Sequence, residues 1–174
     1  MSFSSLIRGF PGHPLHPPLT DAAIGAYAAA TVLVCVGAAG VAKEELAKGW
    51  WLTLIIALGF GALAAVTGLV DWLGITRGTP LWRTATLHMV VMVAANAVFG
   101  AAAIVGHAGY VDGEIGTAAL ILALLGFATL TVGGWLGGSI VFVHGMRVLN
   151  LVDEPARRAA TPGHPEKDEA EGGA

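Results

Sequence analysis

The chain has 174 residues, 55% of them hydrophobic and 12% charged, with a net charge of −3 and a mean hydropathy of +0.72. A soluble domain carries roughly 25% charged residues, and nine of the 21 here crowd into the final 22 positions, so the first 152 cannot cover a water-facing surface. The composition specifies a membrane protein, and the lack of a basic stripe excludes a nucleic-acid tracking role.

The chain opens with a proline- and histidine-rich lead-in over residues 1–20, containing "GHPLHPPLTD" at 12–21. Arg8 is not followed by an h-region and cleavage site, so no removable signal peptide is expected. Pro14, Pro17 and Pro18 remove backbone donors and restrict the residues before them, which argues against a helix. A polyproline II segment would place His13 and His16 on one face about 9 Å apart, too far to chelate one metal together. Thr20 or Asp21 is suited to N-cap the first span.

Four runs of about 20 predominantly apolar residues follow, the length needed to cross a bilayer: 22–41, 51–70, 85–106 and 115–143. The predicted fold class is therefore all-α, a four-helix transmembrane bundle over residues 21–152 whose short loops make consecutive helices antiparallel. Cys35, alone of its kind, is expected to pack as a small apolar residue. Trp50, Trp51, Trp72, Trp82 and Tyr110 fall at span edges, where rings of this type settle at headgroup level. Span four carries "GGWLGG", which sets Gly133 and Gly137, and likewise Gly134 and Gly138, four apart. Such pairs allow close helix approach, within the bundle or between two copies. Ala64 with Gly68, and Gly25 with Ala29, repeat the spacing. The segment 153–174, including His164, is too polar to bury a core and is expected to be disordered.

Lys and Arg set the orientation. Arg8, Arg77, Arg83, Arg147, Arg157, Arg158 and Lys167 share one side; only Lys43 and Lys48 occupy the other. Both termini are thus expected in the cytoplasm, with the protein multi-pass in the inner (plasma) membrane. This topology gathers His13, His16, Asp21, Asp71, His88 and His144 at the cytoplasmic end. Ionisable groups in spans usually face a bundle interior. Asp71 at a helix C-terminus opposes the helix dipole and calls for a partner, such as Arg77, Arg83 or a protonated histidine. His144, also at a C-terminus, suits that dipole when charged. His88 is followed by apolar residues and must find a hydrogen-bond partner or a ligand. Asn96, about 12 Å deeper, is expected to make a helix–helix hydrogen bond rather than a ligand contact.

"GHPLHPPLTD", "GLVDW" ending span two, a histidine beginning span three, and "GGWLGG" followed by "HGMRV" together resemble the bacterial membrane family catalogued as domain of unknown function 2231, over residues 12 to 150. The family pattern falls on His13, His16, Asp21, Asp71, His88, Gly137, Gly138 and His144, and the chain departs from it at Met92 and Ser139. The resemblance implies association with redox proteins, since the family's membrane portion is sometimes joined to a Rieske-type iron–sulfur domain. A Rieske cluster needs two cysteines and two histidines, and one cysteine cannot supply it.

Three functions are carried forward. The first is a non-catalytic membrane module or accessory subunit whose contacts are the lipid bilayer and a redox protein partner. The second is noncovalent haem b binding, or quinone binding, with His88 and His144 as the ligand pair, His16 in reserve and Asp71 as a proton partner. The third is transition-metal binding or transport through His13, His16, His88 and the aspartates.

Overall fold

The computed structural model describes residues 7, 9–10 and 13–148. The expectations placed on Arg8, on the segment 153–174 and on Arg157, Arg158, His164 and Lys167 lie outside those residues. A two-residue antiparallel bridge pairs β1 (Gly9–Phe10) with β2 (His13–Pro14). Four helices follow: α1 (His16–Ala38), α2 (Lys43–Leu73), α3 (Pro80–Asp112) and α4 (Thr117–Phe142). All four are long and apolar enough to cross a membrane.

Helices α2 and α3 outrun their apolar segments at both ends, α1 starts early but ends at Ala38, and α4 stops just inside its segment. α1 starts at His16 rather than at residue 22, with Pro17 and Pro18 in its first turn. There a missing N–H has no intrahelical partner to lose and the fixed φ suits the helix. The prolines therefore begin the helix instead of preventing it, and no polyproline face joins His13 to His16. Leu15 is the N-cap, without a side-chain hydrogen bond; Thr20, already inside the helix, donates to the His16 carbonyl at 2.9 Å. α2 begins with the loop-like "KEELAKGW" because Glu44 and Glu45 sit in its first turn, where they meet the positive end of the dipole. Glu44 pairs with Lys48 one turn on at 2.5 Å. α3 is capped by the Thr79 hydroxyl, which accepts from the Trp82 amide at 3.1 Å, with Pro80 following.

Helix α1 packs on α2, α2 on α3, α3 on α4, and α4 closes the ring against α1. The packing is antiparallel: the start of α2 meets the end of α3 through Trp51, whose indole donates to the Ala103 carbonyl at 2.9 Å. At the opposite end Trp72 of α2 donates to Thr86 of α3, also at 2.9 Å. Most helix surface outside this core faces outward and is apolar, as with Ile104, Trp135 and Phe142.

The two hairpins are built alike. Buried residues of α1 recur in α3 at a spacing of 72: Ala23 with Ala95, Tyr27 with Phe99, Ala30 with Ala102, Thr31 with Ala103. Those of α2 recur in α4 at a spacing of 69: Trp50 with Ala119, Leu54 with Ala123, Ala57 with Gly126, Gly61 with Leu130, Ala64 with Gly133. Tyr27 and Phe99 stack on each other, centroids 4.1 Å apart and planes 12° from parallel. A pseudo-twofold axis therefore passes between these two rings. Because α1 and α3 run the same way, the axis lies along the bundle, the arrangement of parallel repeats in a membrane.

Helices in lipid gain little from the hydrophobic effect on association, so close packing and interhelical hydrogen bonds hold them. The core shows both. Tyr27 donates to Asn96 Oδ1 at 2.7 Å, joining α1 to α3, and the pair lies against Gly61 of α2. The helix–helix role expected of Asn96 is the one observed. Trp50 departs from its expected headgroup position: it is 1% exposed, with its six-membered ring seated on Gly106. Cys35 is exposed on the outer face of α1 rather than packed, and Gly25 and Ala29 also face outward.

Candidate functional site

The end of the bundle where α1 and α3 begin and α2 and α4 finish carries four of the five described histidines; His107 lies at the other end, beside Trp51 and Tyr110. His16, in the first turn of α1, lies on α2 over Gly68, where a Cβ would come within 2.7 Å of its ring. Its Nδ1 is 3.0 Å from the Ala64 carbonyl and 3.2 Å from the Thr67 hydroxyl. His88, in α3, lies on α4 over Gly137, where a Cβ would stand 3.1 Å from the ring, and its Nδ1 is 2.9 Å from the Gly133 carbonyl. A carbonyl oxygen has no hydrogen to give, so each Nδ1 carries the proton and donates. Each Nε2 keeps its lone pair, and neither has a hydrogen-bond partner among the described residues.

The two arrangements are copies under the pseudo-twofold: His88 is 72 residues after His16, Gly133 and Gly137 are 69 after Ala64 and Gly68. The small-residue pairs thus act as seats. Of the double pair in α4, Gly133 and Gly137 face inward to Met92 and His88. Gly134 has nothing within 4 Å of a built Cβ, and Gly138 has only Phe142 of its own helix.

His144, just beyond the end of α4, engages Thr84 of α3 through Nε2 at 3.1 Å. It uses its side chain to tie the two helices. Asp71 finds its cation in Arg147 rather than in Arg77 or Arg83. Its side chain is 9% exposed and that of Arg147 35%, so the pair links the end of α2 to the turn after α4. An open groove of about 640 Å³ runs beside it, bounded by Asp71, Ile75, Thr79, Met146 and Arg147. The groove lies at the outer edge of the histidine end and includes none of the histidines.

Of the sequence-predicted residues, His16, His88, His144 and Asp71 all make interhelical contacts at this end, and His16 is within electrostatic range of both Asp71 and His88. His13 sits in the β1–β2 bridge with an exposed side chain, and Asp21 is exposed on α1. Neither makes a side-chain hydrogen bond or ion pair among the described residues. Nor do any three His, Cys, Asp or Glu among the described residues come together to hold a bare metal ion.

Sequence reading found the Ala64–Gly68 spacing without seating His16 on it, and missed Thr84 and the pairing of Arg147 with Asp71. The seat had a signal, the spacing that also places Gly133 and Gly137. Arg147 had a weaker one, its place in "HGMRV", three residues after a histidine already singled out.

The model of a family described as predicted membrane protein (DUF2231) matches residues 12–150, a range containing every one of these side chains. The chain belongs to this family. With its four apolar helices it is a multi-pass membrane protein. Neither the curated proteins nor the solved structures contain a match to it. The family description assigns no reaction.

Proposed function

We propose that this DUF2231 protein is a non-catalytic membrane module that serves electron-transfer proteins, sitting in the inner membrane with both termini cytoplasmic. The observation that carries the reading is the gathering of His16, His88, His144 and the Asp71–Arg147 pair at one end of the bundle. Each of these side chains bridges two chain segments, and ionisable groups at this depth mark function more often than architecture. Imidazole also serves as a ligand to redox metals and as a proton relay. Arg77 and Arg83 are exposed at the same end, which supports a cytoplasmic placement by the positive-inside rule. Gly134 and Gly138, unused inside the bundle, are the positions at which a second copy could approach closely.

The test is to tag the full chain in its native membrane, cross-link, and identify stoichiometric partners by mass spectrometry. An iron–sulfur or haem protein cross-linked at the histidine end is the expected result. Recovery with no redox protein, together with unchanged membrane electron flux in a deletion strain, overturns it. Orientation is checked separately by charged-maleimide labelling of cysteines introduced at Arg77 and Lys43, with the Arg77 position expected to react only from the cytoplasm.

A further inference from the structure

We infer that His16 and His88 are the two axial ligands of one noncovalently bound haem, held on the pseudo-twofold axis of the bundle. The inference deepens the electron-transfer reading by naming the cofactor of the same site, and it rests on that reading only for the use to which the haem is put.

Helical periodicity supplies the first argument. His16 precedes Tyr27 by eleven residues, and His88 precedes Phe99 by eleven. Eleven residues are about three full turns, so each histidine stands on the same stripe of its helix as the aromatic ring below it. Tyr27 and Phe99 meet face to face on the axis. The two imidazoles therefore flank that axis from opposite sides, roughly 16 Å further along at 1.5 Å per residue. Ala23 and Ala95, seven residues along the same stripes, are both buried, so the side chains next below the imidazoles are small.

Tautomer chemistry supplies the second. Both rings donate Nδ1–H to a backbone carbonyl, the outer-sphere contact that metal-ligating histidines nearly always make, fixing ring orientation and raising basicity at the other nitrogen. What remains is a pair of Nε2 lone pairs. A quinone presents acceptor oxygens and gains nothing from two acceptors. A partner for this pair either donates hydrogen bonds or accepts electron pairs as a metal does, and the carbonyl-anchored Nδ1 on both rings is the arrangement of metal ligands.

Coordination number narrows the metal further. Structural and catalytic zinc sites take three or four protein ligands, and no third His, Cys, Asp or Glu joins this pair among the described residues. A metal satisfied by two protein ligands must bring the rest of its coordination with it. Haem iron does so, taking four nitrogens from the macrocycle and two from axial side chains such as histidine. His144, the expected partner of His88, is excluded from this pair. Its Nε2 is engaged by Thr84, and both residues lie on the α3–α4 seam rather than across the axis.

The experiment is titration of the purified full-length protein with hemin in detergent, read by absorption and electron paramagnetic resonance. Expected are one hemin per chain and a low-spin, six-coordinate spectrum. That spectrum is lost in His16→Ala and in His88→Ala and retained in His144→Ala. Because alanine also removes the contact with the neighbouring helix, His16→Gln and His88→Gln are run alongside. Glutamine can still donate to the Ala64 or Gly133 carbonyl, and circular dichroism verifies the helices; both variants must also lose the low-spin signal. Added imidazole should restore it in His88→Gly. The inference is overturned if folded wild-type protein takes up no hemin, or if the low-spin spectrum survives loss of either histidine. Loss in His144→Ala, or stoichiometric binding of bare Zn²⁺ or Cu²⁺ in place of hemin, overturns it as well. Failure here leaves the co-purification test untouched, and the reverse holds too.

Discussion

Replacing Tyr27 with phenylalanine removes one oxygen from the centre of the bundle. The ring can keep its stacking on Phe99, and a phenylalanine already occupies the pseudo-equivalent position. What disappears is the 2.7 Å bond to Asn96 Oδ1, an oxygen with no other hydrogen bond among the described residues. Interhelical bonds in membranes average about 0.6 kcal/mol and reach roughly 1.7, and an acceptor left unpaired in a buried site costs about 1–3 kcal/mol. Tyr27→Phe should therefore cost ~1–2 kcal/mol. Asn96→Leu strands the tyrosine hydroxyl and should cost a similar amount. The double variant removes both polar ends at once, which is close to neutral when shape is kept; position 24, the equivalent of Asn96, is already isoleucine. The expected coupling energy is about 1 kcal/mol, measured by reversible unfolding in mixed micelles with tryptophan fluorescence as the signal. Single costs that simply add, within the roughly 0.3–0.5 kcal/mol typical of independent sites, would refute the reasoning, because the bond would then contribute nothing of its own.

Gly106→Ala drives a methyl into the Trp50 indole and should destabilise by about 1–3 kcal/mol with a shift in tryptophan emission. Gly134→Ala, with open space around it, should be neutral or gain up to about 1 kcal/mol from helix propensity; the same unfolding assay reads both. Asp71→Asn should destabilise by about 1–2 kcal/mol, discounted for the partly exposed guanidinium. The exchange Asp71→Arg with Arg147→Asp should recover part of that loss in thermal unfolding. Cys35, on the outer face of α1, should react in intact membranes with a lipid-permeant maleimide and resist a charged one, as gel mobility shift or mass spectrometry will show.

The four helices and their antiparallel order follow from apolar run length and short loops. What did not follow was the direction in which each helix faces. A helix that is apolar all round carries no stripe to mark its inner side, so Gly133 and Gly134 read alike although one seats Met92 and the other faces outward. Trp50 was misplaced for the same reason: its position at a span edge suggested headgroup contact, while the glycine notch that receives it lies 56 residues away. The partner of Asp71 is 76 residues off and beyond the last helix, where no local rule reaches. Pro17 and Pro18 misled because the same ring that breaks a helix interior is tolerated in its first turn.

The departure of Trp50 from the otherwise matched halves bears on how the chain chooses its own mate. Its equivalent is Ala119, and the equivalent of its glycine notch is Val34. If two N-terminal hairpins docked on one another, each indole would collide with a valine; two C-terminal hairpins would leave a void between alanine and glycine. Only the unlike pairing fills the space, so one large ring and one missing side chain select against like-with-like association of two nearly interchangeable halves.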